Sequence, residues 1–386
     1  MNEYVDNRFD SIRPYYDEEV SGVIRKLLND REFIRLIGRF RLPLLTRFLP
    51  FIADSLIRST LKKQLEGVGN IREWQEVAAE YARKLIDTSM DDLVFENIEN
   101  LDTDKPYLFV SNHRDIAGDS MLVNYGLYIN GGKTVRIAVG DNLVQKEFAT
   151  DLMRLNKSFF IQRSVEGVKN LLRALTLSSE YIHFSIQEGE SVWIAQREGR
   201  SKDGIDLTDP AIIKMFALAK RKEPFPEVIR SLNIVPVSVS YEYDPCDLLK
   251  ARELSIRDTC GSYSKPEGED LLSLVKGLSG YKGRVNVSFG ELLDGNYESP
   301  EAVVREIDRQ ILGNYKLFPV NYYALSLFNQ EKFGQLALKY PGEFPSEKSN
   351  LYLDQRIEES PSAHRNRLVE MYANPVLSVY KSRFSA

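Results

Sequence analysis

Cysteine and histidine are nearly missing from this chain of 386 residues, which has two cysteines, Cys246 and Cys260, and three histidines, His113, His183 and His364. Two cysteines without a CxxC pair exclude the dense disulfide framework of small secreted domains and point to a reducing cytoplasm. Three scattered histidines cannot supply clustered ligands, so no metal is expected. A basic excess is missing too. The formal net charge is −5, and no aromatic signature interleaves with basic residues, which argues against nucleic acid as a partner. Internal repeats and low-complexity segments are absent from the sequence. The opening MNEYVDNRFD has neither a basic n-region nor an apolar h-region, so no secretory signal is expected.

What is present describes a chain that folds in water. Apolar residues make up 43% and charged residues 28%, with a mean hydropathy of −0.32, ordinary for a globular protein. The length exceeds a single core, so one large catalytic domain with an accessory element is expected.

The segment from Phe33 to Leu65 is a basic island, with Arg35, Arg39, Arg41, Arg47, Arg58, Lys62 and Lys63 against one acid, Asp54. Its apolar residues Phe33, Ile34, Ile37, Phe40, Leu44, Phe48, Phe51 and Ile52 recur at helical spacing, interrupted at Pro43 and Pro50. Arginines and prolines break it too often for a membrane span. Two readings fit: an anchor lying in a membrane interface, or a helical hairpin packing its apolar face on the protein. The charge bias favours the membrane.

Ile71 to about Asn97 reads as one amphipathic helix. Beyond it, strand-like runs alternate with helical periods: PYLFVSN and a helix from about 115, TVRIAVG and a helix from about 142, SFFIQR and a helix ending near Tyr181, then YIHFSI, VWIAQ, LNIVPVSVSYEY and RVNVSFG. The alternation predicts an α/β fold with a largely parallel central sheet flanked by helices. After Gly290, Ser299 and Pro300 stand where a helix N-cap and first turn favour them. The expected organisation is an N-terminal helical, partly basic region over 1–100, an α/β domain over 101–295 and a C-terminal helical extension over 296–386.

Three polar clusters follow strand-like runs, where open α/β sheets place ligands. The first is Ser111-Asn112-His113-Arg114-Asp115, with Asp119 further on. An imidazole is the usual general base near neutral pH, and a carboxylate fixes its tautomer and stabilises the cation that forms. His183, inside YIHFSI, reads as a satisfied core or surface histidine, and His364 as a solvated one. The second cluster is Ser158-Phe159-Phe160-Ile161-Gln162-Arg163-Ser164, where Arg163 would stand beside a helix N-terminus that already favours an anion. The third is Gln196-Arg197-Glu198-Gly199-Arg200-Ser201-Lys202-Asp203-Gly204, whose cations and glycines allow a loop to close around a phosphate.

In order and spacing these clusters, with IVPVSVSY as a fourth block, resemble the glycerolipid acyltransferase family, which includes glycerol-3-phosphate and 1-acylglycerol-3-phosphate acyltransferases. The likeness runs from Tyr107 to Tyr243. It implies transfer of a fatty acyl group from acyl-CoA or acyl carrier protein to the hydroxyl of a phosphate-bearing glycerolipid precursor. His113 would be the base and Asp119 its orienter. Arg163 and Arg200 would hold the acceptor phosphate, with Glu198, Gly199 and Ser201 shaping the pocket. No cofactor beyond the donor is implied, and the protein would attach peripherally to the inner face of a membrane. One departure stands out: five residues separate His113 from Asp119, where the family has four. Gly118 is expected to absorb the extra residue through an unusual dihedral, while Asp115 stands as an alternative orienter or as a helix cap.

Rival readings lack their parts. His113-Arg114-Asp115 starts like a kinase catalytic loop, but no Asn or Asp-Phe-Gly follows in place. Gly132-Lys133-Thr134 hints at a phosphate loop, but Gly126 is one residue too distant. No GxSxG elbow or catalytic cysteine is evident. The altered spacing leaves open a non-catalytic lipid binder, and another lipid acceptor remains a second alternative.

Overall fold

The computed structural model describes residues 7–141, 146–344 and 350–383. In chain order it opens with helices α1 (Asp17–Asn29), α2 (Arg31–Arg41), α3 (Pro43–Phe48), α4 (Pro50–Gln64) and α5 (Ile71–Ser89). There follow β1 (Met90–Glu96), β2 (Leu108–Ser111), α6 (Gly118–Ile129), β3 (Arg136–Gly140), α7 (Glu147–Leu155), β4 (Ser158–Ile161), α8 (Val168–Gln187) and β5 (Val192–Ala195). Next come α9 (Pro210–Phe216), α10 (Phe225–Arg230), β6 (Ile234–Tyr241), α11 (Asp247–Cys260), α12 (Glu269–Ser279) and β7 (Gly283–Phe289). The chain closes with α13 (Pro300–Gly313), α14 (Pro319–Phe328), α15 (Gln330–Lys339), α16 (Leu351–Glu359) and α17 (Ser362–Ser382). The expected α/β class, with a largely parallel sheet and helical regions at both ends, is what the chain adopts.

Contacts divide the chain into two discontinuous units, residues 1–81 with 134–182 and residues 82–133 with 183–386. The first holds α1–α4, the parallel pair β3 and β4, and α7. Val20, Ile24 and Leu27 of α1, Phe33 and Ile34 of α2, Ile57 and Leu61 of α4 and Trp74 of α5 share one core with Phe148 and Leu155 of α7. Pro43 and Pro50 each stand at the first position of a helix, where the missing N–H costs nothing. The two readings of the basic island divide along its length. Phe33, Ile34, Ile57 and Leu61 are buried, whereas Leu44, Phe48 and Phe51 are 72%, 70% and 80% exposed. The side chain of Phe40, residues 1–6 and the expected helix start at 142 lie outside the described residues.

In the second unit five strands run in the order β1-β7-β6-β2-β5. β1 pairs parallel with β7, and β2 pairs parallel with both β6 and β5, while β6 and β7 are antiparallel. Every residue of β2 and β6 is buried, which matches the continuous apolar runs of strands covered on both faces. The C-terminal helices bring Val320 and Leu325 of α14 against Leu368, Tyr372 and Val376 of α17 and Ala251 of α11.

Local pattern misjudged three segments. The helix expected to reach Asn97 stops at Ser89, and Met90–Glu96 is strand β1; its partner β7 is about 190 residues away, which local periodicity cannot register. YIHFSI is the end of helix α8 and not a strand, because no breaker precedes Gly189 and tertiary burial of Tyr181, Ile182 and Ile186 overrides their β propensity. The helix expected from about 115 starts at Gly118, since residues 112–117 form the turn described next.

Candidate active site

Strand β2 ends at Ser111, and the next residue ties the turn down. Asn112 donates through Nδ2 to the Val239 carbonyl at 2.9 Å and accepts at Oδ1 from the Val239 amide at 2.8 Å. His113 therefore leaves the carboxyl end of β2 in a fixed direction. Its Nδ1 lies 2.8 Å from Asp119 Oδ2, and its ring meets the edge of Trp193 at 5.8 Å between centroids. Asp119, in the first turn of α6, is fully buried. Oδ2 also accepts from the amides of Arg114 at 2.7 Å and Asp115 at 3.0 Å, and Oδ1 accepts from the Tyr241 hydroxyl at 2.7 Å. Burial alone would raise the Asp119 carboxyl. The His113 bond and charge, the Asp115 amide and the Tyr241 hydroxyl outweigh it and hold the group below its ordinary value. With its proton on Nδ1, His113 presents Nε2 as the basic nitrogen.

Asp115 occupies a different place. Its Oδ1 accepts from the amides of Ala117 at 3.1 Å and Gly118 at 2.7 Å, closing the turn into α6. Burial first, and then the neighbouring Asp119 charge, raise its carboxyl above the ordinary range. Gly118 does not take the unusual dihedral expected of it; it is absent from the residues with left-handed φ. The extra residue is absorbed by this carboxylate-capped turn, and Gly118 supplies room, since a Cβ there would lie 2.9 Å from Asp115 Oδ1.

The loop after β5 joins His113 directly. The Ser201 amide donates to the His113 carbonyl at 2.7 Å. Ser201 is buried, and its hydroxyl donates to the Ile205 carbonyl at 3.0 Å, inside the loop. Glu198 and Gly199 are exposed at the tip, with Gly199 at φ +72°. Lys202 turns to Glu253 at 2.8 Å and Arg197 approaches Asp203 at 3.7 Å. Arg200 differs: its Nη1 is buried without a hydrogen-bond partner among the described residues. A buried guanidinium nitrogen with nothing to donate to is costly, and an incoming anion would satisfy it. Arg114 ties the loop from beneath, reaching Asp206 at 2.6 Å and the Gly204 carbonyl at 3.2 Å.

The second unit thus brings His113, Asp119, Arg200 and Ser201 together, with Glu198 and Gly199 on the same loop. Arg163 belongs to the first unit, half-buried after β4, where its amide donates to Asp141 at 3.2 Å. Residues 164–167 separate it from α8, so it does not stand at that helix's first turn. Tyr241 was missed by sequence reasoning, although it is a polar residue closing a buried strand, the same signal that marked the other clusters. His183 is buried in α8, with Nε2 2.9 Å from the Phe216 carbonyl.

Residues 92–240 match the family described as Acyltransferase. That stretch of the chain is similar to an acyltransferase domain. That match spans the first three blocks and the fourth as far as Ser240, in agreement with the resemblance to glycerolipid acyltransferases. Among curated proteins no match to the chain was found. Among solved structures, the 1-acyl-sn-glycerophosphate acyltransferase PlsC from Thermotoga maritima aligns at 15% identity and a TM-score of 0.37, over 72% of this chain and 93% of that one.

Proposed function

We propose that the acyltransferase domain moves a fatty acyl group from acyl-CoA or acyl carrier protein to the hydroxyl of glycerol 3-phosphate or 1-acylglycerol 3-phosphate, with His113 as general base. The carrying observation is the His113–Asp119 pair at 2.8 Å, its carboxylate buried and held by three further donors. Nε2 of His113 takes the proton of the acceptor hydroxyl as its oxygen attacks the thioester carbonyl. The C–S bond then breaks, and the protonated imidazole returns the proton to the departing thiolate. Asp119 holds the ring and stabilises the cation in between. No acyl-enzyme is needed. The unpaired Nη1 of Arg200 supports a phosphate-bearing acceptor, with Ser201 fixing the loop to His113 and Glu198 and Gly199 at its tip. Arg163 is proposed as a second phosphate ligand on the resemblance alone.

The same reading places the reaction at a membrane surface on the cytoplasmic side. Among the described residues no helix is long and apolar enough to cross a membrane. Leu44 and Phe48 of α3, Leu49 between the helices, and Phe51, Ile52 and Leu56 of α4 are exposed, and Arg39, Arg41, Arg47 and Arg58 are exposed around them. Apolar groups at headgroup depth and cations against anionic lipid are what an interfacial helix needs.

The test is acceptor-dependent thiol release from a long-chain acyl-CoA, and in parallel from acyl carrier protein, with glycerol 3-phosphate, 1-acylglycerol 3-phosphate and a lysophospholipid. Release with one of the two phosphate-bearing acceptors is expected. Release only with the lysophospholipid would move the acceptor class, and silence with both donors would leave a non-catalytic lipid binder.

A further inference from the structure

Helix α17, at the end of the chain, contains Pro375. A proline inside a helix has no N–H to donate, so the carbonyl four residues earlier, that of Met371, loses its helical partner. That carbonyl faces the loop carrying Arg200. A Cβ on Gly204 would lie 2.1 Å from Met371 O and 3.1 Å from Pro375 Cδ, and Gly204 has φ +78°, so the approach admits only glycine. One residue before the proline, Asn374 is buried and its Nδ2 donates to the Asp203 carbonyl at 2.7 Å. Asp203 in turn accepts at Oδ1 from the Ile205 amide at 3.0 Å. On its other side the loop is held by Arg114, which reaches the Gly204 carbonyl.

We propose that α17 is a positioning element of the acceptor site: Asn374 and the proline-freed turn at Met371 clamp residues 203–204 and so set where Arg200 meets the acceptor's phosphate. The inference rests on Arg200 binding the acceptor. It gives the C-terminal extension a role in acceptor affinity, distinct from filling a core. Asn374 touches no reacting group and acts only through the loop.

The experiment uses the full chain, with Asn374→Asp and Pro375→Ala compared with wild type by varying acceptor and donor separately. Asn374→Asp is nearly isosteric and replaces the amide donor with a carboxylate oxygen facing a carbonyl. Pro375→Ala returns an N–H that recaptures the Met371 carbonyl for the helix. Asn374→Asp should raise the acceptor KM by about tenfold, the scale of one lost hydrogen bond, and Pro375→Ala, which alters only the close approach of Met371 to Gly204, should raise it by less, with the donor KM unchanged in both and kcat falling by less than the acceptor KM rises. Asn374→Gln, which keeps a carboxamide, should recover part of the loss. Unchanged acceptor KM, or acceptor and donor KM rising together, would overturn the proposal. So would loss of the folded far-ultraviolet circular dichroism signal in both variants, since α17 would then serve the core alone. A silent wild type removes the acyl-transfer reading and this inference with it, whereas an active wild type with unchanged variant kinetics removes only the inference.

Discussion

Two carboxylates four positions apart divide the work beside His113, and their surroundings push them in opposite directions. Asp119 is held below its ordinary value by its donors, whereas Asp115 is raised by burial and by Asp119. Asp119→Asn, which removes the charge that orients the imidazole, should lower kcat/KM by roughly 10²- to 10⁴-fold. Asp115→Asn keeps an oxygen for the Ala117 and Gly118 amides and should lose less than about tenfold. Stability separates them by sign. The contribution of Asp119 is present above its unfolded value of 3.8 and fades as pH falls through the depressed folded value. Asp115 has the raised folded value, so its charged form is the penalised one. Asp115→Asn should therefore stabilise at neutral pH, and that gain should disappear as pH falls through the raised value; urea unfolding across pH 3–7 checks both, a range chosen as roughly spanning carboxylate titration. Tyr241→Phe deletes a hydroxyl bonded to the buried Asp119 carboxylate and should cost about 1.5–3 kcal/mol in the same assay. The pairing of His113 with Asp119 was legible from the place of both residues after an apolar strand. Tyr241 carries the same mark, a polar residue closing an apolar strand, but its bond to Asp119 depends on β6 lying beside β2, which no local pattern encodes.

Helices and strands were legible where punctuation was strong. Pro43 and Pro50 each open a helix, and Ser299 caps α13 by accepting from the Ala302 amide. Elements settled by distant contacts are not: local pattern runs a helix through β1 and reads a strand at the end of α8. The apolar corner of α3 and α4 carries its own prediction. Phe48→Ser with Phe51→Ser should lower binding to vesicles containing anionic phospholipid by at least tenfold in co-sedimentation, since burying one phenylalanine contributes about 1.5–3 kcal/mol. Replacing Arg39 and Arg47 by Gln should weaken binding by about 1 kcal/mol per charge and reduce its salt dependence. Equal binding by all variants would return this corner to a purely structural role.

At the scale of the molecule, the sequence order of the parts is not their spatial order. Residues 134–182 leave the α/β domain read from the sequence and join the N-terminal helices in one unit, an excursion that composition does not mark. The C-terminal helices, which carried no functional reading in the sequence, are built into the other unit. Asp308 of α13 accepts from the Thr208 amide at 2.8 Å and hydroxyl at 2.6 Å. Arg356 of α16 pairs with the buried Asp247 of α11, and Tyr372 of α17 donates to the same carboxylate. Deleting residues 296–386 would uncover Leu248 and Ala251 of α11 and strand Asp247 without its cation, a penalty of about 3–5 kcal/mol for that pair alone. The truncated chain should be insoluble or lack a cooperative thermal transition; a soluble, cooperatively unfolding truncation would show the extension to be separable.

The central claim is that His113 moves the proton in an acyl transfer, and it is tested most directly by wild type and His113→Ala with the donor and acceptor pair the wild type uses best, following the acylated product by mass spectrometry and the fold by circular dichroism. The account predicts that kcat falls by roughly 10²- to 10⁴-fold in a folded variant. A folded His113→Ala that retains wild-type turnover would contradict it.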